Sequence, residues 1–174
     1  MGIVDTLIDR NRRFAETQFR DSLGMRPSFA TIVISCLDPR VDPAVVLGAE
    51  QGQIAVIRNV GGRITPHTLM ELVMLRQVAQ ANGSDIGPGW EIAVLQHTQC
   101  GITLIQDQPD LLSRYFGIDE QNLPGVSLGD PRGAVAHDVA ALRAETRLAG
   151  VHVSGLVYDV TTGLVETVVK RGSC

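Results

Sequence analysis

Three short runs constrain this chain more than anything else in it: Phe29–Ser35 (FATIVIS), Gln53–Arg58 (QIAVIR) and Glu91–Gln96 (EIAVLQ). Each is nearly continuous in apolar residues, rich in β-branched side chains and too short for a helix of ordinary length. A strand with one wet face alternates polar and apolar residues. Strands apolar on both faces must be covered on both, which is the situation of a parallel sheet between layers of helices.

The segment between the second and third runs supplies the crossover. Thr65 can cap a helix with Pro66 in its first position, and Leu69, Leu72, Val73, Leu75, Val78 and Ala79 give it an apolar side until Asn82-Gly83 ends it. Further helices are expected from Thr103 to Phe116 and from Pro131 to Ala149, with a Gly/Pro-containing loop over 117–129 between them. A fourth strand is expected over Val151–Tyr158, and the Thr161-Thr162-Gly163 turn leads to a short fifth at Leu164–Val169. This alternation predicts an α/β fold, a mainly parallel sheet of four to five strands flanked by helices, with its ligand site beyond the carboxyl ends of the strands. From Ile3 to about Phe19 the spacing predicts a charged amphipathic helix. Residues 1–24 then form an arm that must lie on its own domain or on a partner subunit.

With 174 residues and 44% hydrophobic content, one domain over 1–174 is expected. A net charge of −4 with no Lys/Arg run gives no footprint for nucleic acid or an anionic membrane, so a small molecule is the expected partner. The charged N-terminus and the lack of any 18-residue apolar stretch argue against a signal peptide or a membrane span, and predict a cytoplasmic protein. Three cysteines in such a chain point away from a disulfide framework and toward metal ligation, catalysis or packing.

Cys36 follows the first strand and His97 the third, so if those strands are neighbours both side chains emerge at one rim. Cys36-Leu-Asp-Pro-Arg40 and His97-Thr-Gln-Cys100 together offer two thiolates and an imidazole, with Gly101 letting the chain bend away. That donor set suits Zn2+, and three protein ligands with a fourth position for water or Asp38 match catalytic zinc sites. His67, His137 and His152 read as surface or packed histidines, Met70 and Met74 as core, Cys174 as a frayed terminal thiol, and Gly87-Pro88-Gly89 as a loop.

The pair Cys36-x-Asp38-x-Arg40 and His97-x-x-Cys100, with Arg58-Asn59-Val60-Gly61-Gly62 between, resembles the β-class carbonic anhydrases and their relatives that hydrolyse carbonyl sulfide or carbon disulfide. The resemblance spans about residues 28 to 105. It implies zinc, one ion per chain, on Cys36, His97 and Cys100, with Asp38 and Arg40 as a catalytic dyad. It also implies reversible hydration of CO2 to bicarbonate by metal-bound hydroxide, in a homodimer or homotetramer whose N-terminal helix reaches across to a partner. Pro39 departs from the serine many members carry, and the N-terminal region is shorter than theirs.

The residues themselves support those roles. Zinc with two thiolates is formally neutral and depresses the pKa of a bound water less than a three-histidine site does, so other groups must assist. Arg40, a permanent cation, can hold Asp38 ionised and aimed. Were Arg40 to release it, Asp38 could close the fourth position. Gly61-Gly62 supplies a tight turn near the site, and no GxGxxG is present. Carbonyl sulfide or carbon disulfide hydrolysis on the same site, a structural zinc module with Asp38 as permanent ligand, and a Cys36/Cys100 dithiol remain the alternatives.

Overall fold

In a computed structural model that describes residues 2–174, the three apolar runs become strands β1 (Thr31–Cys36), β2 (Ala55–Asn59) and β3 (Glu91–His97). β4 (His152–Tyr158) and β5 (Val165–Ser173) complete one sheet in the order β2-β1-β3-β4-β5. The first four strands are parallel and β5 runs antiparallel to β4. This is the mainly parallel α/β sheet that the runs predict. β1 and β3 are direct neighbours, with Ser35 opposite Leu95.

Helices α1 (Ile3–Thr17), α2 (Pro43–Val46), α3 (Pro66–Ala81), α4 (Pro109–Phe116) and α5 (Pro131–Arg143) fill the connections. α3 starts as its sequence requires, with the Thr65 hydroxyl accepting from Thr68 N–H and Pro66 in the first turn. The main core lies where α5 (Val135, Val139, Leu142) and Leu72 of α3 meet one face of β1, β3 and β4 through Ile34, Ile92, Val94 and Val153. Val33, Ala93 and Leu95 form a second cluster with Val41 on the other face. Each such side chain contributes about 1.5–3 kcal/mol by leaving water.

Four expectations need correction. The stretch from Thr103 to Phe116 is not one helix but a 3-10 turn (Gly101–Ile105) followed by α4. The residue before Pro109 is pushed out of the helical region, and Gln108 sits at φ −114°, ψ 68°. The helix expected to reach Ala149 stops at Arg143, because the Glu145 carboxylate accepts from Arg147 N–H and caps a separate 3-10 turn, Thr146–Leu148. Cys174 is not frayed: its N–H bonds Val151 O, its Sγ donates to Leu142 O at 3.3 Å, and β5 extends to Ser173 beside it. Met70 and Met74 are not core residues, being 50% and 59% exposed. The sheet takes the Thr68/Leu72 stripe of α3, and Met70 lies about 200° around the helix from Leu72.

α1 forms as its periodicity predicts, yet none of its side chains is buried, and Ile3, Val4, Leu7 and Ile8 face outward. Among the described residues no helix is long and apolar enough to cross a membrane.

Candidate metal centre

Because β1 and β3 are adjacent and parallel, their carboxyl ends deliver Cys36 and His97 to the same rim. Cys100 returns to that rim through a turn whose strained residue is Gln99, at φ +55°, rather than Gly101. The ligand atoms of Cys36, His97 and Cys100, all buried, lie within 4.8 Å of one another. His67, His137 and His152 are outside this cluster.

The donor geometry fits zinc. The two Sγ atoms are 3.8 Å apart, and two Zn–S bonds of about 2.3 Å at a tetrahedral angle span roughly 3.8 Å. His97 Nδ1 is 2.8 Å from Thr98 O, so Nδ1 carries the proton and donates it to that carbonyl. Nε2 is thereby left as a bare lone pair, buried and without a hydrogen-bond partner among the described residues. A buried acceptor without a hydrogen bond is costly in itself, and a metal cation held by the two thiols would satisfy it. The Cys100 thiol holds the Cys36 thiol well below its ordinary range, helped by the His97 side chain and the amides of Asp38 and Gly61, while the Cys36 thiolate and burial push the Cys100 thiol up.

Asp38 stands beside the cluster and is not one of its three members. Its carboxylate is gripped by Arg40: Nε to Oδ1 at 3.0 Å, Nη2 to Oδ2 at 2.7 Å, and the backbone N–H to Oδ1 at 2.9 Å. Arg40 Nη2 also donates to Gln99 O at 3.1 Å, which ties the β1 loop to the β3 loop. This grip, chiefly the guanidinium, lowers the Asp38 pKa to about 2. The pair is partly exposed, so its stabilising effect is small, about 0–1 kcal/mol, and its main consequence is orientation. His97 and Cys100 also line a cavity of about 300 Å3, together with Arg63, Gln96, Ile102 and Thr103. Cys36 and Cys100 also pack into an apolar wall of Ile102, Leu112, Phe116 and Val126.

Gly61 and Gly62, at φ +77° and +62°, form a turn behind Cys36. A Cβ on Gly62 would lie 2.6 Å from the Cys36 backbone nitrogen and 2.7 Å from Ser35 C, with only backbone to yield. Gly62→Ala is therefore expected to displace the end of β1 and to cost at least about 1–2 kcal/mol from the left-handed conformation alone. Thermal unfolding and zinc content per chain check this, and a variant with normal values of both would show the contact to be relaxed elsewhere.

Two further residues serve the site without having been given roles from sequence. Arg58 straps the 36–42 loop, donating to Cys36 O (2.9 Å), Asp38 O (2.8 Å) and the Asp42 carboxylate (3.1 Å). Gln96, beside His97, donates to Gly62 O at 2.7 Å. Arg58 belongs to the Arg58–Gly62 motif, so its presence was legible although its contacts were not. Gln96 is one polar residue in an apolar strand, a signal only burial makes meaningful.

The fold and the site together define an α/β protein with a buried Cys-His-Cys cluster, able to hold a metal ion, at the carboxyl rim of its sheet; catalytic zinc sites use three protein ligands of these types. A family model described as carbonic anhydrase matches residues 31–112. Beta-carbonic anhydrase 1 of Mycobacterium tuberculosis is 29% identical over 172 residues, covering 97% of this chain and 99% of that protein. The crystal structure of carbonic anhydrase from Streptococcus mutans aligns with a TM-score of 0.75 at 27% identity, over 97% of this chain and 98% of that one. A carbon disulfide hydrolase aligns with a TM-score of 0.59 at 21% identity, over 94% and 89% of the two chains, a likeness of fold. In sequence and in fold, this chain is similar to the β-carbonic anhydrases.

Proposed function

We propose that this chain catalyses the reversible hydration of CO2 to bicarbonate with zinc on Cys36, His97 and Cys100. The observation that carries the reading is the convergence of three buried ligand atoms, one of them the orphaned Nε2 of His97. Held by Cys36, His97 and Cys100, zinc would supply Lewis acidity that lowers the pKa of a water. Everything else falls to the chain's own side chains. The Thr98 carbonyl fixes the His97 tautomer, and the Arg58 strap holds the loop that carries Cys36 and Asp38. Arg40 keeps Asp38 ionised and points its lone pairs, so that the carboxylate accepts a hydrogen bond from the attacking water and aligns it with the carbon of CO2. The engagement of both Asp38 oxygens by Arg40 supports an open fourth position over a permanent Asp38 ligand.

The relatives above 25% identity named here are carbonic anhydrases, whereas the carbon disulfide hydrolase is similar in fold alone. Turnover of CO2 and of carbonyl sulfide is measured side by side on one sample of quantified zinc content. Rapid CO2 hydration with negligible sulfide release is expected, and the reverse would replace this reading with a hydrolase.

The chain is further proposed to act as a homodimer or higher oligomer, with residues 1–24 as an arm on the partner. An amphipathic helix that buries nothing in its own chain supports this. Leu7→Glu, placing a charge among Ile3, Val4 and Ile8, is expected to shift the mass from light scattering toward a single 18.7 kDa chain. An unchanged mass would put the interface elsewhere.

A further inference from the structure

Asp138 of α5 is wholly buried, lies outside the segment matched by the family model, and touches none of the three ligands. Its carboxylate nonetheless reaches Gln96, the residue before His97, and Arg63, the residue after the Gly61-Gly62 turn that backs Cys36. Oδ2 accepts from Arg63 Nε at 2.7 Å and Oδ1 from Arg63 Nη2 at 3.2 Å. Oδ2 also accepts from Gln96 Nε2 at 3.3 Å, and His137 Nδ1 lies 3.2 Å from Oδ1. Gln96 directly precedes His97, and the same Nε2 donates to Gly62 O, in the turn that backs Cys36. Arg63 directly follows Gly62. Its backbone N–H donates to Asn59 Oδ1 at 2.7 Å, its Nη2 to Val126 O at 2.7 Å, and its guanidinium carbon lies 4.9 Å from the Phe116 ring centroid.

We propose that Asp138 is a positioning residue of the metal centre: through Gln96 and Arg63 it locks the end of β3 to the Gly61-Gly62 turn, and so fixes the distance between His97 and Cys36. The physical argument is one of competing roles. A buried ion pair stabilises a fold little more than well-packed apolar residues of the same volume would. Arg63 and Asp138 are 1% and 0% exposed, and besides Val126 O and His137 Nδ1 the pair engages Gln96, next to His97, whose amide also holds Gly62 O in the turn that backs Cys36. Groups one step behind metal ligands typically change metal affinity 10–100-fold when removed.

This inference rests on the metal reading of the site, and the experiment separates the two. Zinc affinity by chelator competition and the cobalt(II)-thiolate absorption band are measured on the wild type, on the charge-neutral double variant Arg63→Met/Asp138→Leu, on Gln96→Met, and on Leu148→Ala. Leu148 is a fully buried core residue away from this network, included as a stability control. A wild type that binds no zinc overturns the metal reading itself. With zinc bound by the wild type, the double variant and Gln96→Met are expected to remain folded by circular dichroism, to bind zinc about 10–100-fold more weakly, and to show a shifted or broadened cobalt band. Leu148→Ala is expected to melt earlier and to keep both readouts unchanged. Wild-type affinity and spectrum in the double variant and Gln96→Met, or an equal loss in Leu148→Ala, would overturn the proposal. If the double variant does not fold, Gln96→Met, which leaves the ion pair intact, decides alone.

Discussion

Cys100→Ser is expected to lose zinc and, with it, the proposed CO2 hydration. A serine hydroxyl does not ionise near neutral pH and is a harder donor than thiolate, so the site falls from three good ligands to Cys36 and His97. The loss in zinc affinity should exceed the 10–100-fold that attaches to groups merely supporting a ligand, and turnover should fall to the uncatalysed background. The fold should survive. Cys100 is one residue of an apolar wall whose bulk comes from Ile102, Leu112, Phe116 and Val126, and a buried hydroxyl there costs on the order of 1–3 kcal/mol. Metal analysis after dialysis against a chelator, with stopped-flow CO2 hydration on the same sample, reads both effects. One retained zinc per chain and wild-type turnover would remove Cys100 from the ligand set.

Asp38→Asn is expected to separate the two halves of the site, keeping zinc and losing rate. The wild-type carboxylate takes three short hydrogen bonds from Arg40 on two oxygens. An asparagine accepts on one oxygen, and its amide meets the Arg40 donors with donors of its own. Either Arg40 swings away or the side chain turns, and in both cases the acceptor that aligns the attacking water is lost. A fall in kcat of about 100-fold or more is the scale of a positioned proton acceptor, with zinc content unchanged. The pH dependence has a defined sign. Arg40 lowers the Asp38 pKa to about 2, so the carboxylate is ionised above that value and is lost only as pH falls through it. Any wild-type activity change between about pH 5 and 9 must then come from another group. Wild-type kcat in Asp38→Asn would show that the carboxylate does not act on the water.

The two variants probe parts of the site that differ in how plainly the sequence wrote them. Strand runs, the Thr65-Pro66 helix start and the positions of Cys36 and His97 at the carboxyl ends of two strands are local facts, set by side-chain shape and spacing within a few residues. They suffice for a mainly parallel sheet and for the residues at its rim. Local spacing failed where a neighbour far in sequence, or a single backbone angle, held the decision. α4 begins only at Pro109 because Gln108 cannot stay helical, and Gln99 rather than Gly101 takes the strained turn. Cys174 is pinned by Val151 and Leu142. The stripe that α3 buries is chosen by the sheet beneath it, which is why Met70 and Met74 face outward.

The sequence by itself determined which residue types stand at the strand ends, because that pattern is carried by contiguous residues and their periodicity. Only the tertiary structure decided that β1 and β3 lie side by side, that the two thiols stand 3.8 Å apart, and that a carboxylate on α5 bonds both Gln96, beside His97, and Arg63, beside the turn behind Cys36. Those facts depend on groups tens of residues apart meeting in a water-poor interior, where every polar atom must find its partner and no short stretch of chain can specify which.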